Sequence, residues 1–184
     1  MYRVKVFDRN SKTEKECLLE AFNSDDSVLF WSLKKQYYSS SDALLKMLDK
    51  QLGEYRIYIC CDTAFIGGFF IAHSISLTNR RAELTVYIEK EYRKKGLVFL
   101  WWVLMLRELQ NLGIEDLYGK VFDHNSVSLL TAQKNGFTKC GVLPGYVKNG
   151  EKVCDVAILH RSCSFEKSEL VWYNRLNYSD NSVS

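Results

Sequence analysis

No two of the six cysteines stand at the C-x-x-C spacing of zinc ribbons and redox motifs. Cys17, Cys60, Cys61, Cys140, Cys154 and Cys163 therefore read as reduced thiols acting as small apolar residues. Cys60 and Cys61, being adjacent, should point to opposite faces of one strand. Neither a disulfide-stapled fold nor a metal site is expected. Long apolar runs are missing too. The longest, Leu97 to Leu106, is too short to cross a bilayer, so no membrane partner is expected. Excess charge of one sign is absent: the net charge is +3, too small for a protein that coats nucleic acid. Met1-Tyr2-Arg3-Val4-Lys5 runs straight into an alternating pattern with no signal segment, and no internal repeat is visible. The expectation is a soluble, cytoplasmic protein.

What is present is apolar residue, 47% of a 184-residue chain. A chain of this length buries roughly 70% of its unfolded surface, so one domain is the expectation. Tyr2 to Phe7 alternates as a strand. Ser24 before Asp25 and Asp26 predicts a helix start, with the helix running to Tyr38. Ser41 predicts the cap of a second helix, in which Leu44, Leu45, Leu48 and Leu52 recur at helical spacing until Gly53. Tyr55 to Cys61, Phe65 to Leu77 and Ala82 to Ile88 predict three strands, the last entered through a turn at Asn79-Arg80. Leu97 to Leu112 predicts a buried helix, Leu117 to Phe122 a strand, and Asn125 to Asn135 a helix closed by Gly136. Phe137 to Val147 and Lys152 to Arg161 predict a closing hairpin. Residues 1–165 form the expected domain. Residues 166–184 form an extension that packs through Leu170, Val171, Trp172 and Tyr173 and then frays. Periodicity alone goes no further than an α/β or α+β class.

The most informative stretch is Arg93-Lys94-Lys95-Gly96-Leu97-Val98, between a strand and a long helix. First-turn amides lack intrahelical acceptors, and the helix dipole adds partial positive charge there. Three cations strengthen that field, and Gly96 lets an anion approach the backbone. The pattern suits a diphosphate.

Arg93-x-x-Gly96 resembles the cofactor turn of the GNAT superfamily of N-acetyltransferases, with Val98 where that family usually has Gly or Ala. Asn125-Ser126-x-Ser128-Leu129 through Lys134-Asn135-Gly136-Phe137 resembles its second motif at the right distance. Arg80 to Arg161 is similar to the branch holding ribosomal-protein alanine acetyltransferases (RimJ and RimL type) and spermidine acetyltransferase. Gly141-Val142-Leu143 and Asn149 to Asp155 fit the closing hairpin, and Val28-Leu29-Phe30-Trp31 the first helix. The resemblance spans most of the chain. It implies an α+β fold: a mixed, mostly antiparallel sheet flanked by helices and splayed between its fourth and fifth strands.

The resemblance also implies acetyl-CoA as acyl donor and direct attack by an amine in a ternary complex. The pyrophosphate would lie on Arg93, Lys94, Lys95, Gly96, Leu97 and Val98, and the pantetheine arm along the backbone of Val86, Tyr87 and Ile88. Asn125, Ser128 and Lys134 would stand near the arm. An aliphatic amine, with a pKa of about 10, must lose a proton before it attacks. Glu83 is the candidate base, with pairing to Arg80 or Arg81 as its bland alternative. Asp155 and Trp31 join Glu83 as substrate candidates. The family's thiolate-protonating tyrosine is replaced by Ala132, leaving Ser128, Tyr146 or the amine itself as acid. Acids Asp25, Asp26, Asp42 and Asp49 beside Trp31, Tyr37 and Tyr38 suit a cationic acceptor, whether a small molecule or a protein N-terminus.

Two other readings stay open. Ala132 and Val98 favour a non-catalytic acyl-CoA-binding module. An aminoacyl-tRNA-acetylating, toxin-like enzyme would want a broad basic face; the near-balanced charge opposes it, though Lys34, Lys35, Lys46 and Lys50 leave room. A homodimer is a further open expectation.

Overall fold

The computed structural model describes residues 3–24, 37–62, 65–93, 96–149 and 151–180. A seven-stranded sheet forms its middle layer: β1 (Arg3–Val6), β2 (Arg56–Asp62), β3 (Phe65–Ser76), β4 (Arg81–Ile88), β5 (Asp116–Phe122), β6 (Thr138–Asn149) and β7 (Lys152–Ser162). Their order in space is β1-β2-β3-β4-β5-β7-β6. Every neighbouring pair is antiparallel except β4 and β5, which are parallel. Among the described residues five α-helices flank the sheet: α1 (Lys12–Asn23), α2 (Ser41–Gln51), α3 (Leu97–Asn111), α4 (Ser126–Lys134) and α5 (Lys167–Asp180). The expected α+β class is the one observed.

Alternation along the strands divides the core in two. Leu18, Phe22, Leu44 and Leu48 pack from α1 and α2 onto Ile57, Ile59, Cys61, Phe69, Ile71 and Tyr87. On the other face, Trp101, Trp102, Met105, Leu106 and Leu109 of α3 meet Tyr58, Cys60, Phe70, Leu84 and Leu159. Cys60 and Cys61 do serve opposite faces. Cys140, expected inside, is exposed. A Cβ at Gly67 would collide with the Trp101 ring, so the glycine in β3 is what lets α3 lie close to the sheet.

The N-terminal helices differ from expectation. Helix α1 covers residues for which no element was expected, and Ser24 closes it: its hydroxyl donates to the Ala21 carbonyl at 2.7 Å. The helix expected from Ser24 to Tyr38, with Val28 to Trp31, lies outside the described residues for positions 25–36. Helix α2 is capped by Ser40 rather than Ser41, its Oγ accepting from the Ala43 amide at 3.2 Å. The C-terminal extension is helical. It docks through Glu169, 2% exposed, and Tyr173, whose ring stacks on Phe165; Leu170, Val171 and Trp172, expected to pack, face outward. Among the described residues no helix is long and apolar enough to cross a membrane.

Candidate active site

The β4–β5 ladder holds only four residue pairs, from Arg81↔Asp116 to Leu84↔Gly119. Both strands continue beyond it. β4 stays paired with β3 as far as Ile88, and β5 with β7 as far as Phe122. The two halves of the sheet therefore splay, and no described strand pairs with the β5-facing edge of Thr85 to Ile88. A slim, amide-bearing chain can add to such an edge as an extra strand would.

The mouth of the splay ends in a short 3-10 helix (Lys90–Tyr92) and then Gly96, the N-cap of α3. Gly96 has φ +74°, the left-handed region, and a Cβ there would meet nothing within 4 Å. The Phe99 amide already closes on the Gly96 carbonyl at 3.2 Å. The Leu97 and Val98 amides precede the first intrahelical bond, while their side chains pack against the α3 core. Val98, the departure from the motif, is thus accommodated inward and does not fill the cradle. Arg93 turns back: its Nε donates to the Ile88 carbonyl at 2.9 Å, and its guanidinium lies 6.0 Å from the Tyr87 ring centre. Lys94, Lys95 and Trp31 lie outside the described residues.

Glu83 sits at the closed end of the splay. It pairs with neither Arg80 nor Arg81. Its Oε2 meets Lys120 Nζ at 2.9 Å, and Arg80 is taken by Glu115 at 2.6 Å. Lys120, which sequence reasoning passed over, also lies 5.9 Å from the Tyr146 ring centre. It thereby links Glu83 on β4 to Tyr146 on β6. Tyr146 is held out by a bulge between Leu143 and Val147, at which Gly145 has φ +58°. Asp155 anchors that bulge by accepting from the Gly145 amide at 2.7 Å, so its carboxylate is engaged with backbone. His73 is the cross-strand partner of Glu83, and its Nε2 lies 3.2 Å from Thr85 Oγ1.

Glu83, Thr85 and Tyr87 form one row on the face turned to α1 and α2. Beyond Tyr87 the row runs into a cleft of about 630 Å³ lined by Cys17, Glu20, Phe65, Glu89, Glu91 and Tyr92, among others. Tyr87 donates to Glu89 Oε2 at 3.2 Å. Burial pushes the Glu89 carboxyl above its ordinary range, with Glu91 and Glu20 adding to the rise against Tyr87 and Arg93. The acids expected to face the acceptor are engaged elsewhere: Asp49 with Arg9 and Tyr55, Asp42 with Lys15. Asp25 and Asp26 lie outside the described residues. Tyr37 is exposed, and the Tyr38 ring packs edge-on against Phe22.

The spermidine N-acetyltransferase of Vibrio cholerae, solved with CoA and spermine, superimposes with a TM-score of 0.74 at 18% identity, over 88% of this chain and 95% of that one. YncA of Salmonella typhimurium, solved with its cofactor acetyl-CoA, gives 0.68 at 15% identity, over 90% of this chain and 96% of that one. The chain carries the GNAT N-acetyltransferase fold. No family model matches it. In sequence it is similar to the Bacillus subtilis (strain 168) protein named "Putative phosphinothricin acetyltransferase YwnH", 37% identical over 86 residues. That match covers 47% of this chain, and the chain spans about half the length of that relative, 53%.

Within the GNAT fold, α4 stands on the β5 side of the splay. Asn125 caps it, Oδ1 accepting from the Ser128 amide at 3.1 Å, and Ser128 is half-buried one turn in. Ala132 packs against the core where a tyrosine would have stood. Lys134 is exposed at the far end of the helix, roughly 13 Å along the axis from Asn125. The structure therefore does not bring Lys134 together with Asn125 and Ser128.

Proposed function

We propose that the chain is an acetyl-CoA-dependent N-acetyltransferase acting on a cationic primary amine. The observation that carries this reading is the parting of β4 from β5 beyond Leu84↔Gly119, which opens the sheet beside an unobstructed, left-handed Gly96 at a helix N-terminus. Those two features fit the amide-bearing arm and the pyrophosphate of one ligand. Gly96, Leu97 and Val98 would receive the phosphates on backbone amides, with Arg93, Lys94 and Lys95 adding positive charge. Val86, Tyr87 and Ile88 would align the arm through their backbone, and Asn125 and Ser128 would flank it from α4. Acetyl-CoA, when bound, supplies the acyl thioester.

Glu20, Glu89 and Glu91 would draw the ammonium form of the acceptor into the cleft, and the row along β4 would lead it to Glu83. Glu83 takes the amine's proton, directly or through a water, and the neutral amine then attacks without a covalent enzyme intermediate. Tyr146, Ser128 or the attacking amine returns a proton to the leaving sulfur. Asp155 acts by holding the Gly145 bulge that presents Tyr146. The reading predicts that Glu83→Gln lowers turnover at pH 7 by about 10²-fold or more while acetyl-CoA affinity is unchanged. The deficit should shrink as pH approaches the amine's own pKa. A variant with wild-type rates at pH 7 would place the base elsewhere.

Ala132, with no tyrosine in α4, favours a second reading, a non-catalytic acyl-CoA-binding module. Acetyl-CoA binding without transfer to any amine of a broad panel would establish it. The acidic cleft argues against an aminoacyl-tRNA substrate, whose phosphates it would repel.

A further inference from the structure

Glu83 has a difficulty as a lone base. A carboxylate held 2.9 Å from an ammonium loses that charge-assisted contact when it takes a proton. A second acceptor stands beside it. His73 is the residue directly opposite Glu83 in the β3–β4 pair, where facing Cβ atoms lie about 4.5–5.5 Å apart. Both side chains emerge on the face turned to α1 and α2. The imidazole is held between two hydroxyls, Nε2 at 3.2 Å from Thr85 Oγ1 and Nδ1 at 3.4 Å from Ser74 Oγ. Ser74 has φ +50°, left-handed for a residue with a side chain, and the β3–β4 register shifts between His73 and Ser76. A β-bulge of this kind re-aims a side chain. Thr85, the other contact, is the first residue of β4 beyond the end of the β5 ladder. The imidazole thus stands where the splay opens.

Resting on the acetyltransferase reading above, we propose that His73 is the second acceptor in the proton path: the proton that Glu83 takes from the ammonium passes across the strand pair to the imidazole. An N–H bond of the ammonium breaks and a Glu83 O–H bond forms. That O–H bond then breaks as the proton passes to a bridging water, which gives up one of its own protons as an N–H bond of His73 forms, restoring the carboxylate beside Lys120 and leaving imidazolium. His73 releases the proton to solvent after turnover. Among the described residues the charged groups facing His73 are Glu83 and Lys120. Burial holds its pKa below the ordinary 6.5; Glu83 opposes that shift and Lys120 adds to it, so the imidazole is neutral at pH 7 and able to accept. Thr85 and Ser74 are positioning residues that aim the ring.

The test is the pH dependence of kcat/KM for the amine in wild type, His73→Gln and Thr85→Val, with acetyl-CoA binding measured alongside by calorimetry. Wild type should lose activity as pH falls through a limb below 6.5, where His73 becomes protonated. His73→Gln should be at least about 10-fold slower at pH 7, bind acetyl-CoA as wild type does, and lack that limb. Thr85→Val, nearly isosteric, should slow the reaction while keeping the limb, and it carries the test if His73→Gln does not fold. A purely structural histidine would lower the rate equally at all pH values and leave the limb in place, which overturns the proposal. So would a His73→Gln enzyme with the wild-type profile, or, where only Thr85→Val folds, a Thr85→Val enzyme with wild-type rates. Wild type that transfers to no amine would overturn the acetyltransferase reading and this one together, a different outcome from a transferring enzyme indifferent to His73.

Discussion

Single residues carry most of the chemistry, and their partners were the least legible part of the chain. Glu83 was readable as an acid on the strand before the Arg93–Val98 turn, but Lys120 was not readable as its counter-ion. Local reasoning offers Arg80 and Arg81. The parallel register that sets Glu83 opposite Tyr118 instead brings the next outward residue of β5 into reach. His73 escaped notice for the same reason, its meaning depending on a cross-strand pair. The buried Arg161–Glu169 pair is a second non-local case. Arg161 and Glu169 meet at 2.9 Å with side chains 3% exposed each, and Glu169 also accepts from Trp102 Nε1 at 2.8 Å. Glu169→Ala would leave a buried guanidinium without its charge partner and should cost about 3–5 kcal/mol in chemical denaturation. Burial alone would raise the Glu169 carboxyl, but Arg161, the Glu166 amide and Trp102 outweigh it and hold it below its ordinary 4.5. The sign follows: this contribution is complete above about pH 4.5 and is lost as pH falls through the depressed folded value. Wild type should lose Tm on acidification through that window. Glu169→Gln should lose less, and equal losses would assign the acid sensitivity to other groups.

At the scale of elements, what could be read followed the strength of local signals. Helix α3 was legible almost to the residue because Gly96 and Gly113, both left-handed, frame an apolar run. Helix α1 was missed although its start has a recognisable form. Ser11-Lys12-Thr13-Glu14 is a capping-box pattern, and Ser11 Oγ does accept from the Glu14 amide. Its polar composition hid it, since only every third or fourth residue, such as Leu18 and Phe22, turns inward. Glu14 departs from the pattern by reaching the Asp8 amide at 2.7 Å and pairing with Lys5, which ties the helix to β1. For α2 the reading fell one residue late. Ser40 has the extended backbone and the accepting hydroxyl, so Ser40→Ala should cost about 1 kcal/mol and Ser41→Ala much less. Equal losses in thermal unfolding would mean that both serines support the helix start. Helix α5 was anticipated as a packed hydrophobic tail. Of the expected residues Tyr173 does pack, on Phe165, but the buried contact is a carboxylate, which no hydrophobic pattern reveals.

For the molecule as a whole, periodicity yielded the number and sequence of strands but not their arrangement in space. The crossing that places β7 between β5 and β6, and the four-pair parallel ladder that then opens, are properties of long-range pairing. They became legible only through motifs whose family implies them, around Gly96 and Asn125. The structure joins those motifs across one opening, with Gly96 at the mouth on one side and Asn125 on the other. The account stands or falls on that opening holding an acyl-CoA. The most direct measurement is calorimetric titration of acetyl-CoA into the wild type and Gly96→Glu. The substitution places a side chain and a negative charge into space that is open, at a backbone conformation that favours glycine. Micromolar binding by the wild type, abolished in a folded Gly96→Glu variant, is the predicted result. Equal binding by both proteins, or none by the wild type, would contradict it.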